Sequence, residues 1–104
     1  MSGPELDRLL SDPTRLTVMS VLSAAQWCEF AFLRGAVGLS DSALSKQLTT
    51  LRNDGYIEQQ RAYSGRVPKT TVRATDHGRQ RLHAHAQALQ AILDQAGAPP
   101  RDRA

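Results

Sequence analysis

Between Ser40 and Asn53 the chain places Leu44, Leu48 and Leu51 at i, i+4 and i+7, the spacing of one helical face. At 100° per residue, Ser42, Lys46, Thr49 and Asn53 then point away from the leucines, flanked by Ala43, Ser45 and Thr50. That outward face consists of short hydroxyl and amide groups, one cation and a few methyls. Hydroxyls and amides exchange hydrogen bonds with base edges, a lysine reaches guanine or a phosphate, and an alanine or threonine methyl touches thymine. An ordinary solvated helix face would carry glutamates and Glu–Lys pairs. From Ser42 to Asn53 there is no acidic residue, which suits a surface turned toward a polyanion.

A second cationic group follows. Arg61, Arg66 and Lys69 surround Gly65 in a segment that reads as a hairpin, whose loop can extend over a minor groove or its phosphates. The charge is unevenly spread. Residues 34–81 carry Arg34, Lys46, Arg52, Arg61, Arg66, Lys69, Arg73, Arg79 and Arg81 against Asp41, Asp54, Glu58 and Asp76, whereas residues 1–33 carry more acids than bases. A net charge of +3 is therefore concentrated in the middle of the chain, as nucleic acid would require.

Catalytic and metal chemistry finds little support. His77, His83 and His85 all fall in one helical stretch, and no two stand four apart, so they read as surface histidines rather than a helical metal pair. Cys28 is the single cysteine; beside Trp27 and Phe30 it reads as a buried thiol with no intramolecular disulfide. There is no phosphate loop, nucleophile elbow or carboxylate pair in an apolar setting. The reading is of a non-enzyme, with no catalytic residue, no metal site and no cofactor.

The elements that must hold these groups follow from capping and period. Asp12-Pro13 starts a helix over Pro13 to about Ala25, with Val18, Val21, Leu22 and Ala25 on one face. A shorter helical segment containing Leu6, Leu9 and Leu10 precedes it. Trp27-Cys28-Glu29 reads as a short strand, and Phe30, Leu33 and Val37 as a brief helix stopped by Gly38. Ser40 or Asp41 caps the next helix, which Gly55 ends. Tyr56–Arg61 and Lys69–Arg73 read as strands joined by a long connection over residues 62–68. Thr75 caps a last helix over about 76–96, where Leu82, Ala86, Leu89, Leu93 and Ala96 alternate by four and three. At 1.5 Å per residue that helix spans roughly 30 Å. It outreaches so small a core, so this stripe, with Leu6 and Leu9, is the expected contact with a second copy.

A chain of 104 residues, with 40% apolar and 22% charged residues, accommodates one domain, here residues 1–96, followed by a disordered tail over 97–104 that contains Pro99-Pro100. No apolar run approaches the roughly 20 residues of a membrane span. The first residues lack the basic and apolar regions of a secretory signal. A cytoplasmic protein with no membrane partner is expected.

Helix, helix, Gly-Leu-Ser turn, helix and hairpin, in that order, describe a winged helix-turn-helix: mainly α with a small β-hairpin wing, extended by a terminal helix. Over residues 12–79, about two thirds of the chain, the sequence resembles the compact winged helix DNA-binding domains near the MarR and ArsR families of bacterial regulators. The matching pieces are Thr14-Arg15-Leu16 with Leu22, Phe30-Ala31-Phe32-Leu33, Leu39-Ser40 through Leu44-Ser45-Lys46-Gln47-Leu48, and Leu51-Arg52-Asn53-Asp54-Gly55-Tyr56-Ile57. Gly65-Arg66-Val67-Pro68-Lys69-Thr70 and Ala74-Thr75-Asp76-His77-Gly78-Arg79 complete them. The sequence departs where Ala74 replaces a common leucine and Asp76 a common proline.

The resemblance implies double-stranded DNA as partner, a recognition helix over about 41–53, a wing over about 57–73 and a homodimer joined through the terminal helices. The competing reading is a winged helix adaptor that docks a protein on the same helix face; such modules lose the basic wing or place acids on that helix. The sequence does not identify a small-molecule effector. Trp27 and Phe30 are expected in the core rather than lining an effector pocket between the last helix and the first.

Overall fold

The computed structural model describes residues 5–97. The elements are α1 (Pro13–Ser23), β1 (Cys28–Glu29), α2 (Phe30–Val37), α3 (Asp41–Asn53), β2 (Ile57–Ser64), β3 (Val67–Ala74) and α4 (Asp76–Gly97). This is a mainly α winged helix-turn-helix fold, with a three-stranded antiparallel sheet in the order β1-β3-β2 and a long C-terminal helix.

Side chains placed by local chemistry start three of the helices. Asp12 accepts the Arg15 amide at 3.0 Å ahead of Pro13, Ser40 Oγ accepts the Ala43 amide at 3.1 Å, and Thr75 Oγ1 accepts the Gly78 amide at 2.9 Å. Each such cap contributes about 1 kcal/mol. The core collects Leu10, Val18, Met19, Leu22, Leu33, Leu44, Leu48, Leu51, Ile57 and Val72, so the leucine stripe of α3 is wholly internal. No described helix is long and apolar enough to cross a membrane.

The structure differs from the sequence reading in several places, each with a physical cause. The segment before α1 is a turn over residues 8–11, not a short helix. Asp12 takes an extended conformation to cap α1 (φ −81°, ψ 123°), so no helix can run on through it from the preceding segment. Instead Asp7 closes the turn, its carboxylate accepting the Leu10 amide at 3.0 Å. α1 itself stops at Ser23, where Arg79 of α4 donates to the freed carbonyls of Ser23 (2.8 Å) and Ala25 (3.0 Å).

The hairpin is longer and its connection shorter than expected. Pairing continues to Ser64 opposite Val67, leaving a two-residue turn of Gly65 and Arg66. Gly65 has φ +66° and no other residue type has positive φ among the described residues. Positive φ at the first central position alone is the II′ pattern, which matches the twist of paired strands.

Two side-chain expectations are corrected. His85 is not a surface histidine but is 2% exposed, and Trp27 is not a core aromatic but is 38% exposed, with the Arg73 guanidinium 5.3 Å from its ring centroid. Trp27 caps the sheet edge through that cation–π contact; Phe30 is half-buried against the core. Cys28 is buried and burial raises its thiol pKa, as an inert core cysteine requires. α4 continues to Gly97, and the rest of the tail expected over 97–104 lies outside the described residues.

Candidate nucleic-acid interface

α3 is presented by its neighbours rather than by its own propensity. Its inner face buries Leu44, Leu48 and Leu51, while Ser42, Ser45, Lys46, Thr49 and Asn53 are exposed and Ala43 and Thr50 are half-buried at the margins. The face read from the sequence is thus intact and uncovered by the described residues. Thr49 Oγ1 donates to the Ser45 carbonyl at 2.9 Å and Thr50 Oγ1 to the Lys46 carbonyl at 3.2 Å. Among the described residues Lys46 has no ion-pair partner.

Three polar contacts fix the pose of α3. At its first turn Asp41, favourably placed at the positive end of the helix dipole, pairs with Arg34 of α2. That pairing offsets the charge of the acid that directly precedes the exposed face. On its flank, half-buried Gln47 accepts from Arg15 of α1 at 3.0 Å, and the same guanidinium donates to the Leu9 carbonyl at 2.8 Å. At its last turn Arg52 donates to Gln59 of β2 at 2.6 Å. Sequence pattern did not signal these positioning residues, because each contact joins side chains from different elements.

The wing residues separate by face. Cross-strand partners share a face and neighbours alternate, so the register Arg61↔Thr70 and Ala62↔Lys69 puts Arg61 and Lys69 on opposite sides of the hairpin. Arg61 shares its side with Gln59, the residue bonded to α3. Lys69 lies on the other side, 3.4 Å from the Glu29 carboxylate at the start of α2. Arg66 stands exposed at the tip. Neither Arg61 nor Arg66 has an ion-pair partner among the described residues. The register therefore puts Arg61 on the side of the hairpin that is bonded to α3 through Gln59, with Arg66 at the end of the wing.

A polar cluster that sequence reasoning missed lies behind α3. Asp7, 3% exposed, accepts from the Tyr56 hydroxyl at 2.5 Å and from Arg81 Nε at 2.9 Å. Its backbone amide donates to His85 Nδ1 at 2.9 Å. Burial alone would raise the Asp7 pKa, but the Tyr56 hydroxyl, the Leu10 amide and Arg81 together hold it below its ordinary value. Burial and the same carboxylate push the Tyr56 phenol up.

Residues 14–93 match the family described as winged helix DNA-binding domain. The chain belongs to that family. Its members are DNA-binding domains rather than enzymes, and the resemblance read from the sequence holds at this level. This winged helix chain is also 29% identical over 73 residues to an uncharacterized protein of Methanocaldococcus jannaschii, spanning 69% of this chain and 78% of that protein. Its fold is shared with a transcriptional regulator homologue of Pyrococcus horikoshii OT3 at TM-score 0.82 and 23% identity, over 86% of this chain and 89% of that one. The M. tuberculosis transcriptional regulator MOSR, solved in complex with DNA, has the same fold at TM-score 0.68 and 20% identity, over 93% and 72% of the two chains.

Proposed function

We propose that this winged helix protein is a sequence-specific, double-stranded DNA-binding transcriptional regulator that acts as a homodimer. The observation that carries this reading is the exposed, acid-free face of α3, held outward by a fully buried leucine stripe, with Arg61 and Arg66 of the wing lacking ion-pair partners among the described residues. In the assembly we propose, Ser42, Ala43, Ser45, Lys46, Thr49, Thr50 and Asn53 face a major groove, and Arg61 and Arg66 reach the adjacent minor groove or its phosphates. Lys69 joins them by exchanging Glu29 for a phosphate.

The second copy is assigned to the far half of α4 and the N-terminal segment. Ala86, Leu93 and Ala96 are exposed along α4, and Leu93 and Leu6 are 60% and 40% exposed. Leu9 and Leu82 pack partly on the chain's own core and Leu89 lines a recess beside Leu6, so these three contribute through their remaining surface. Two copies joined there would set their α3 helices about one DNA turn apart, roughly 34 Å, on a pseudo-palindromic site. Such a regulator is expected in the cytoplasm.

The deciding experiment is a mobility-shift titration of the purified protein on DNA from upstream of its own gene, with scrambled DNA as control and salt varied. Tight binding to the upstream DNA alone, weakening steeply with salt as counterions are released, is the expected result. A flat salt response with no preference between the two DNAs would overturn it and favour a protein-docking role.

A further inference from the structure

The turn at residues 7–10 is bonded to both functional halves of the molecule. Toward α4, the Asp7 amide donates to His85 Nδ1 and the Asp7 carboxylate accepts from Arg81. Toward α3, the same carboxylate accepts from Tyr56, whose own amide is bonded to the Leu51 carbonyl at 2.9 Å. In addition the Leu9 carbonyl holds the arginine that grips Gln47. Residues 7–10 are thus a polar bridge between the helix assigned to DNA and the helix assigned to the second copy.

One bond of that bridge depends on protonation state. Nδ1 of His85 accepts from an N–H, so the ring must be neutral with its proton on Nε2. An imidazolium carries hydrogen on both nitrogens and would set N–H against N–H at this contact. The groups facing His85 are Asp7 from the N-terminal turn, with Tyr56 and Arg81 bonded to that carboxylate from the residue before β2 and from α4. The other residues around the recess that the ring lines, Leu6, Leu10, Ser11, Pro13, Leu16 and Leu89, carry no titratable side chain.

We propose that His85 and Asp7 form an acid-sensitive latch: protonation of His85 releases the Asp7 amide, the turn at 7–10 moves, and the fixed relation between α3 and α4 is lost. This inference rests on the DNA-binding dimer above, because the spacing of two α3 helices is what the latch would control. Acid would then weaken specific DNA binding. That sign is opposite to the usual one, since charging exposed histidines such as His77 and His83 favours a polyanion.

The test uses the full chain at pH 8 and at pH 5. Amide NMR without DNA reads Asp7 directly, and a mobility shift on the upstream DNA reads affinity. The latch predicts that the Asp7 amide loses protection, relative to the other core amides, in step with His85 titration. It also predicts a fall in affinity of about five-fold, the scale of one neutral hydrogen bond. His85→Asn, which keeps an acceptor oxygen near the Nδ1 position and cannot titrate, should abolish both changes; His77→Gln and His83→Gln should leave them in place. An Asp7 amide that stays protected while His85 titrates, or an equal acid loss of affinity in His85→Asn, would overturn the latch. Absence of DNA binding at both pH values would sink the DNA-binding reading instead, and the Asp7 amide would still decide the latch.

Discussion

Gly78, in the first turn of α4, lies so close to the Tyr56 carbonyl that a Cβ built on it would sit 2.1 Å from the Tyr56 oxygen. The same oxygen accepts the Thr75 amide at 3.0 Å, so it cannot easily retreat. This backbone-on-backbone contact seats α4 against the residue that follows α3 and Gly55. Gly78→Ala should therefore destabilise the fold by about 1–3 kcal/mol, as overpacking does. Urea unfolding followed by circular dichroism checks this; an unchanged midpoint would show that α4 can shift freely.

Asp7 should make stability depend on acid pH. Its folded-state pKa lies below the ordinary carboxylate value, so its contribution is present above the unfolded pKa of about 3.9. That contribution is lost as pH falls through the folded value. Asp7→Asn should lower the urea midpoint at pH 7 and flatten the dependence of stability on pH below about 4. Tyr56→Phe, which removes one donor to the buried carboxylate, should cost about 1–3 kcal/mol at neutral pH.

The proposed DNA surface separates base recognition from phosphate neutralisation. Lys46→Ala should weaken binding to the upstream DNA and reduce its preference over scrambled DNA. Arg66→Ala should weaken binding to both nearly equally, lowering the salt slope by about one for each phosphate the side chain no longer neutralises. Titrations of each variant at several salt concentrations measure both effects. Unchanged affinity in both variants would remove the support for this surface.

The proposed dimer can be tested without disturbing the core. Leu93 is 60% exposed and far along α4, so Leu93→Glu should leave the folded domain intact while halving the mass seen by light scattering. The variant should also bind a two-fold DNA site much more weakly than the parent chain. Cutting α4 away would be a poorer test, because Gly78, His85 and Ala88 are buried parts of the domain.

What could be read in advance was local. Caps at Asp12, Ser40 and Thr75, and the two faces of α3, depend on residues within a few positions of one another, and each fell where the sequence put it. The wing's extent over about 57–73 was legible, but its two strands were read too short because Tyr63, Val67 and Pro68 are exposed near the hairpin tip, where no buried face imposes alternation. Lys69 was grouped with Arg61, yet the hairpin register, fixed by pairing rather than composition, turns it toward Glu29. Asp7 and His85 are 78 residues apart; only the packed fold brings them together. The histidine spacing that argued against a metal pair says nothing about burial.

The threonines of α3 donate their hydroxyl hydrogens to their own helix. To an approaching duplex each such side chain offers lone pairs beside a methyl, a pattern that complements the exocyclic amines of adenine and cytosine and the thymine C5 methyl. Guanine, whose major-groove edge presents only O6 and N7 acceptors, finds its match in Lys46 instead. On the proposed surface, the operator's composition should vary along the helix: guanine near its first turns, adenine, cytosine or thymine toward its end.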